Sequence, residues 1–588
     1  MAIDYQKIRK HAFTRSEKMF AAFDRRKDLL LEVAREWCPL MVPGLELGVE
    51  QIADGWRFDD DHRMLTTLPL QLLRKSASGF LSNMMSPARP WFDFRLPGAG
   101  ESGHDELMAI NRFKQATERM FQDANAYGQG YKLFEHLIAM GFGCMIVGED
   151  ADGAVRCQTL RVGTYALDIG ADERVNRVAR RYAWTAEQIL ETFTPDWTPE
   201  YVKDMAKRGV TDRLELWNLI EPNPQGFSRK FDPLEKDGAD VCDESMAFRS
   251  IYLLRGAGAV DGKGGDKAGI LRMTGFRHNP IIAPRLDYEQ GDVYGIGRCI
   301  DGNYGAKALQ TFKADELRIQ GLRAQPPVVV TPDLKNRVYL GRKGVTVAKT
   351  GEQARDRVVP VFERPADADD TRQCLAEAKE ELESLLYVDA FAVIDSQKNN
   401  PGVKTATEIE YLKTENLAKL GAIYINLAAE MFDPLVKTLA LYTFDPDRGT
   451  LADSDRAALA EIGLTDGFEI EYVSQIALAQ KAGALTSVQQ YVSFCGSLAE
   501  MKQGALDSPI DNLDTDRTLR LMGRMLNVPE EVNRDKKEVE KARAAAAAEL
   551  AQQKRLERQG QLVDAAKQIS EMPIDEAHVG GAIAEGLR

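Results

Sequence analysis

Residues 256–265, GAGAVDGKGG, come nearest to a phosphate-binding loop in this chain. Such a loop needs a glycine, four residues and then Gly-Lys-Ser/Thr, so that backbone amides wrap phosphate and the hydroxyl holds magnesium. With Gly262-Lys263 as the pair, the leading glycine falls on Ala257 and the hydroxyl on Gly264, so the wrap and the metal contact are both missing. Gly295-x-Gly297 opens a dinucleotide-type pattern, but Ile300 stands at the third glycine and no regular βαβ unit surrounds it, which leaves a turn. Asp59-Asp60-Asp61 beside His62 could suggest a metal site; consecutive side chains diverge, and carboxylates just ahead of a helix favour its N-terminal dipole, so capping is the stronger reading. The six histidines, at 11, 62, 104, 136, 278 and 578, form no HExxH pair, and Ser78-Gly79 with Ser82 lacks the GxSxG frame of a hydrolase elbow. Seven cysteines, at 38, 144, 157, 242, 299, 374 and 495, contain no CxxC, which argues against a disulfide framework and a zinc site. No catalytic residue, metal or cofactor is therefore expected, although an enzyme whose residues meet only in three dimensions stays open.

What remains as chemistry is charge. The chain carries a formal −14 over 588 residues, which opposes general affinity for nucleic acid, because such binding is dominated by cations that neutralise phosphates. The charge is uneven. Residues 302–364 hold 12 Lys+Arg against 6 Asp+Glu, whereas 366–394 hold 2 against 8. Ordinary solvated surface is the competing reading of that contrast.

These residues have to be positioned by several cores, since single cores stop growing near roughly 250–300 residues. Apolar residues at 44% and charged residues at 28% fit a folded chain. The longest apolar stretch, 138–148, is well short of the ~20 residues needed to cross a bilayer. Charges at Asp4, Lys7, Arg9, Lys10, Arg15, Glu17 and Lys18 leave no room for a secretion signal, so no membrane partner is expected.

The periodicity predicts an α+β, mainly helical protein. Capping-box spacing at Thr14 and Glu17 opens a helix that runs to Trp37, and further helices fit 62–85, 104–126 and 129–140. A hairpin follows over 144–160, then strands near 213–221, 247–255, 270–276 and 281–286 with short helices near 185–194 and 199–208. Residues 223–268 read as a long surface excursion. A helix over 303–323 ends at Gln325-Pro326-Pro327, because proline supplies no amide donor. Short strand-like pieces over 328–362 precede a second helix, 370–394, with Leu375, Ala378, Leu382 and Leu385 at helical spacing. A polar loop, 395–404, leads to a long helix opened by Thr405 and Glu408 and closed at Pro434. A strand at 468–473, helices near 475–501 and 515–526, an alanine-rich helix within 530–570 and a loose tail complete the plan.

Two segments, and the order of elements after them, add a family likeness. Residues 80–95, FLSNMMSPARPWFDFR, resemble the head-to-tail connector (portal) family of short-tailed phages in combination with 279–298, NPIIAPRLDYEQGDVYGIGR, and with TATEIEYL at 405–412. The resemblance covers most of 10–530. It implies a portal fold: a wing α/β domain over 1–300 and 405–475, stem helices at 301–324 and 366–394, a small β-rich clip at 325–365, and a tunnel loop at 395–404. A crown would occupy 476–530 and a barrel-type helix with the tail 531–588. The family assembles as rings of twelve at one capsid vertex, which implies a homo-oligomer in the virion, built in the host cytoplasm. Its partners would be double-stranded DNA in the channel, the terminase motor, tail or adaptor proteins, and capsid and scaffolding proteins. The candidate DNA contacts are Lys398, Asn399, Asn400 and Lys404 on the tunnel loop. Arg337, Arg342, Lys343 and Lys349 are the candidate clip contacts. Plain surface solvation is the competing reading for each. Trp91 and Phe92 read as core or subunit-packing residues. Another virion or scaffold protein, or an unrecognised enzyme, are the alternative functions.

Overall fold

The computed structural model describes residues 5–46, 65–95, 104–149, 153–193, 197–224, 246–255, 269–324, 328–330, 358–360, 368–395, 420–445, 449, 451–461, 468–472, 490–495, 518, 522 and 536–570. It divides into two units, Met1–Glu101 with Ala109–Ala505, and Ser102–Met108 with Leu506–Arg588.

The larger unit opens with α1 (Tyr5–Asp24) and α2 (Lys27–Trp37), then a short α3 (Val42–Glu46). The single helix expected from Thr14 to Trp37 is thus two, and the first starts earlier. The break lets α1 lie on a β-sheet while α2 packs into a helical layer, which one straight helix could not do. That layer is α2 with α4 (Leu68–Met84) and α6 (Ala126–Met140); α5 (His104–Asp123) precedes α6 across Asn125, whose φ of 56° turns the chain. Leu30, Val33, Trp37, Leu72, Leu73, Phe80, Leu133 and Phe134 are all buried, at the 3–4 spacing of core-facing helix.

The hairpin expected near 150 is β2 (Met145–Glu149) with β3 (Val155–Thr159), extended by β9 (Ile281–Ile282) on the other edge of β2. A second sheet runs in the order β4 (Tyr165–Ile169), β5 (Val175–Thr185), β6 (Arg213–Pro222), β7 (Phe248–Leu254) and β8 (Ile270–Phe276), all antiparallel neighbours. One face takes α1: the Phe13 ring stacks on Trp217 at 4.9 Å. The other buries Ile189 of α7 (Ala186–Thr192) and Val202 of α8 (Glu200–Lys207) against Leu216, Leu254 and Leu271. Helix α7 begins in a complete capping box between Thr185 and Gln188.

After α9 (Arg298–Asp301), α10 (Asn303–Ala324) leads to β10 (Val328–Val330), and β11 (Val358–Pro360) leads back into α11 (Ala368–Leu385). The expected helix over 370–394 breaks: Tyr387 takes φ 59° and α12 (Val388–Asp395) sets off anew. The break has a packing cause. Ser76 Oγ donates to Leu386 O at 2.6 Å, and Phe391 lies so close to Gly79 that a Cβ there would fall 2.3 Å from its ring.

Next come α13 (Gly421–Leu427), a π turn (Ala428–Phe432), α14 (Asp433–Phe444) and α15 (Asp453–Glu461), and then β12 (Glu469–Tyr472), which pairs antiparallel with β1 (Phe92–Arg95). The helix expected to stop at Pro434 instead continues through it. Proline has no amide hydrogen and its ring crowds the carbonyl four residues back, so the chain widens by one residue: Asp433 N donates to Ala428 O, five positions earlier. The smaller unit contains α16 (Lys536–Ser570), exposed from Glu540 to Val563.

Gly295 and Gly297 have nothing to do with a nucleotide. They let 295–297 touch the end of α6, where a Cβ on Gly297 would sit 2.5 Å from both Ala139 O and Gly141 N. Gly297→Ala is therefore expected to cost about 1–3 kcal/mol by overpacking against immovable backbone. A urea midpoint equal to that of the unaltered chain would contradict this close approach.

Candidate functional site

All eight residues singled out by sequence, Arg337, Arg342, Lys343, Lys349, Lys398, Asn399, Asn400 and Lys404, lie outside the described residues. So do the GAGAVDGKGG segment and Asp59 to His62. What is described is the framework from which the segments that carry them start and end.

That framework is an arm. Helices α10 and α11 pack against each other in opposite directions: Gly302 and Gly305 at the start of α10 meet Leu382 and Leu385 at the end of α11, at separations of 2.7–3.2 Å from a Cβ built on either glycine. Further along, Glu316 accepts from Lys313 Nζ at 2.7 Å and from Gln320 Nε2 at 3.2 Å, with Arg372 of α11 at 3.6 Å, tying the two helices by charge. The arm continues into β10 and β11, registered Val328↔Pro360 and Val330↔Val358. The two ends of 331–357, which holds the four candidate clip residues, are therefore fixed opposite each other. Lys307 Nζ donates to Glu32 of α2, and Gly302 meets Trp37, so the base of the arm is seated on the body.

The two sequence segments that carried the family likeness meet at the π turn. From the first, Trp91 is buried among Phe121 of α5, Phe432 of the π turn and Tyr472 of β12, at centroid distances of 5.6, 5.5 and 6.1 Å, and its Nε1 donates to Tyr127 Oη at 3.4 Å. Trp91 and Phe92 are thus core residues. Tyr472 Oη donates to Asp433, and burial together with that carboxylate pushes the Tyr472 hydroxyl far above its ordinary range. From the second segment, Arg285 is 2% exposed. Its backbone N donates to Glu430 at 2.8 Å, its guanidinium grips the same carboxylate, and Nη1 and Nη2 donate to Asp292 O at 2.6 Å and Glu173 O at 2.8 Å. The Tyr288 ring covers it at 3.8 Å.

Sequence reasoning singled out neither Arg285 nor Glu430. The available signal was Glu430 four residues ahead of Pro434, the spacing at which a proline forces a helix to widen. Three buried thiols are strongly perturbed as well. Burial pushes the Cys38 thiol up to about 12, with Glu135 adding to it, and Cys144 and Cys157 likewise up to about 12, so none of them is a thiolate nucleophile. Among the described residues no group of three or more His, Cys, Asp and Glu side chains could hold a metal, and no helix is long and apolar enough to cross a membrane.

Among the described residues these buried charges join elements of the fold, and two antiparallel helices form an arm that ends in a strand pair. The model of the family described as the bacteriophage head to tail connecting protein matches residues 14–533, and the chain belongs to that family. The probable portal protein of Bordetella phage BPP-1 is 27% identical over 483 residues, 80% of each chain. The portal protein of Salmonella phage epsilon15 is 27% identical over 458 residues, 77% of this chain and 76% of its own. Among solved structures, the neck of an empty gene transfer agent particle overlaps 78% of this chain and 90% of its own, at 12% identity and a TM-score of 0.32, too loose to carry detail.

Removing Glu430 leaves a buried guanidinium without its counter-charge. Glu430→Ala is expected to cost about 3–5 kcal/mol, and the double variant Arg285→Met with Glu430→Leu to cost less, because both desolvation penalties then vanish together. Urea unfolding of the three proteins measures it; a double variant weaker than the single one would show that the bonds to the Asp292 and Glu173 carbonyls matter more than the ion pair.

Proposed function

We propose that this chain is the subunit of a portal ring of twelve copies at one capsid vertex, the channel for packaging and ejecting double-stranded DNA. The observation that carries this is the family match over 14–533. On this reading 1–300 and 405–475 form the wing, α10 and α11 the stem, 325–365 the clip, 395–404 the tunnel loop, 476–530 the crown, and α16 with the tail a barrel-type extension. The clip docks the terminase motor first and tail or adaptor proteins later, and the wing meets capsid and scaffolding proteins. Assembly takes place in the host cytoplasm. The chain is not an enzyme.

Electrostatics supports a conduit. Twelve copies at −14 each give −168, so the ring as a whole repels DNA. Strong phosphate contacts at every step would trap a duplex that has to move both ways, and each neutralised phosphate adds affinity through counterion release. Guidance then falls to Lys398, Asn399, Asn400 and Lys404 on the tunnel loop. Arg337, Arg342, Lys343 and Lys349 serve the clip. The arm supports the same plan: two helices seated on the body and ending in a registered strand pair present the clip at a fixed place.

Particle imaging of the purified protein tests the core of this, with closed rings around a central channel expected; a monomer under every assembly condition would sink it. Shortening 395–404 is expected to leave rings intact and reduce the yield of filled heads. Normal filling would remove the tunnel-loop role. Reversing charge at Arg342 and Lys343 is expected to weaken binding of the motor or adaptor, and unchanged binding would remove the docking role of the clip.

A further inference from the structure

Helix α1 is basic in an acidic protein, and its own stability does not explain why. It carries Lys7, Arg9, Lys10, Arg15 and Lys18 against Glu17 and Asp24, with no acidic residue in its first turn. Cations at a helix N-terminus oppose the macrodipole and cost stability there. Lys7, Lys10, His11, Thr14, Arg15 and Lys18 fall on one face and line a groove of about 650 Å³ between α1 and the edge of the sheet at Leu167-Asp168, with Val293 and Tyr294 beneath.

The acids in this region are already matched. Asp168 takes Arg15 Nη2 at 2.9 Å, and Glu221 takes Arg249 Nη2 at 2.6 Å with His11 at 3.3 Å. Lys10 and Lys18 are exposed and form no ion pair among the described residues. Their positive potential is left to an outside partner.

We propose that this face of α1 is a DNA contact additional to the tunnel loop, on which a phosphate strand of duplex DNA lies along the row from Lys7 to Lys18. The proposal rests on the portal reading for the identity of the anion. From Lys7 to Lys18 is a rise of about 16 Å at 1.5 Å per residue, which matches the axial extent of about five phosphates of one strand. An acidic polypeptide fits less well. Its charges sit on a flexible backbone that must be ordered on binding, whereas the cations of α1 repeat at fixed three- and four-residue steps; of the apolar floor, Met19, Leu167 and Tyr294 are each 5% exposed or less, with Ala22 and Val293 more open. A ligand is held at the rim by charge. Duplex DNA, with one charge per ~1.7 Å and a condensed counterion layer to release, is the polyanion that gains most from such a rim.

The test uses assembled full-length protein and a fluorescent 40-base-pair duplex of random sequence, with affinity read by anisotropy across a salt series. Lys10→Glu with Lys18→Glu is expected to weaken binding at least tenfold and flatten its salt dependence, and Lys10→Gln with Lys18→Gln to lose less. Unchanged thermal midpoints and ring yield show that the variants are folded. Two controls carry the same change in net charge. Lys203→Glu with Lys207→Glu on α8 is expected to bind like the unaltered protein; an equal loss there means only overall charge is being read, and overturns the proposal. Lys398→Glu with Lys404→Glu separates the two DNA roles: if it alone abolishes binding, the α1 contact is wrong and the channel reading stands. If it leaves most binding in place while the α1 variant does not, the α1 contact is supported whatever the fate of the tunnel loop. Competition by polyglutamate as strong as by unlabelled duplex would make the surface a docking site for acidic protein and overturn the assignment to DNA, as would absence of duplex binding at low salt.

Discussion

A proline without an amide hydrogen sets the geometry on which the larger unit depends. Pro434 widens its helix into the π turn 428–432, and that turn presents Glu430 to one side and Phe432 to another. Glu430 takes Arg285, from the stretch that leads into the arm, while Phe432 packs on Trp91, directly ahead of β1. A regular helix advances its side chains by a fixed angle, and the extra residue in the turn changes that phase. Without it, Glu430 and Phe432 would not both reach their partners while Leu427 and Leu435 stay buried. Burying an ion pair is expensive and repaid only when further hydrogen bonds satisfy the remaining donors. Arg285 meets that condition through the carbonyls of Asp292 and Glu173, the latter held at φ 61° in the β4–β5 turn. One guanidinium thereby joins the five-stranded sheet, the 285–298 stretch and the helix that follows the tunnel-loop segment.

Charge elsewhere follows a division of labour. Inside, Arg285 with Glu430 and Glu221 with Arg249 are committed to holding elements together. Outside, the excess of carboxylates makes the surface repel polyanions except where basic segments interrupt it. A conduit benefits from that arrangement, because local cations guide while the acidic background limits dwell time.

Much of the architecture was legible in the sequence, and the exceptions share a cause. Amphipathic helices such as α2, α4 and α6 and the strands β2, β3, β6, β7 and β8 show their period plainly, because one face is buried and the other is not. Strand β5, VNRVARRYAWT, hid its period behind arginines that are packed in place of apolar residues: Arg181 lies 3.7 Å over the Phe20 ring and Arg180 lies 4.8 Å over Tyr182. The breaks at Arg25-Arg26 and Tyr387 were hidden because they answer to tertiary neighbours and not to local propensity. The passage of a helix through Pro434 was hidden because proline reads as a stop unless something distant rewards its inclusion. Trp91 was recognisable as an anchor; Arg285 and Glu430 were not, since nothing local marks two charges 145 residues apart as partners.

The arm shows what this rigidity serves. The segment 331–357 leaves from Val330 and returns at Val358, two residues paired in register, and the pair is carried by helices whose base glycines admit Leu382 and Leu385. The segment after 395 begins where α12 ends at Asp395, and α12 is seated through Phe391 in the notch left by Gly79. In each case the last fixed residues are set by contacts in the body and not by the segment itself. The described contacts that set these ends, at Leu382, Leu385 and Phe391, lie outside 331–357 and 396–404. Rigidity therefore resides in the π-turn junction and in the glycine-packed base of the arm.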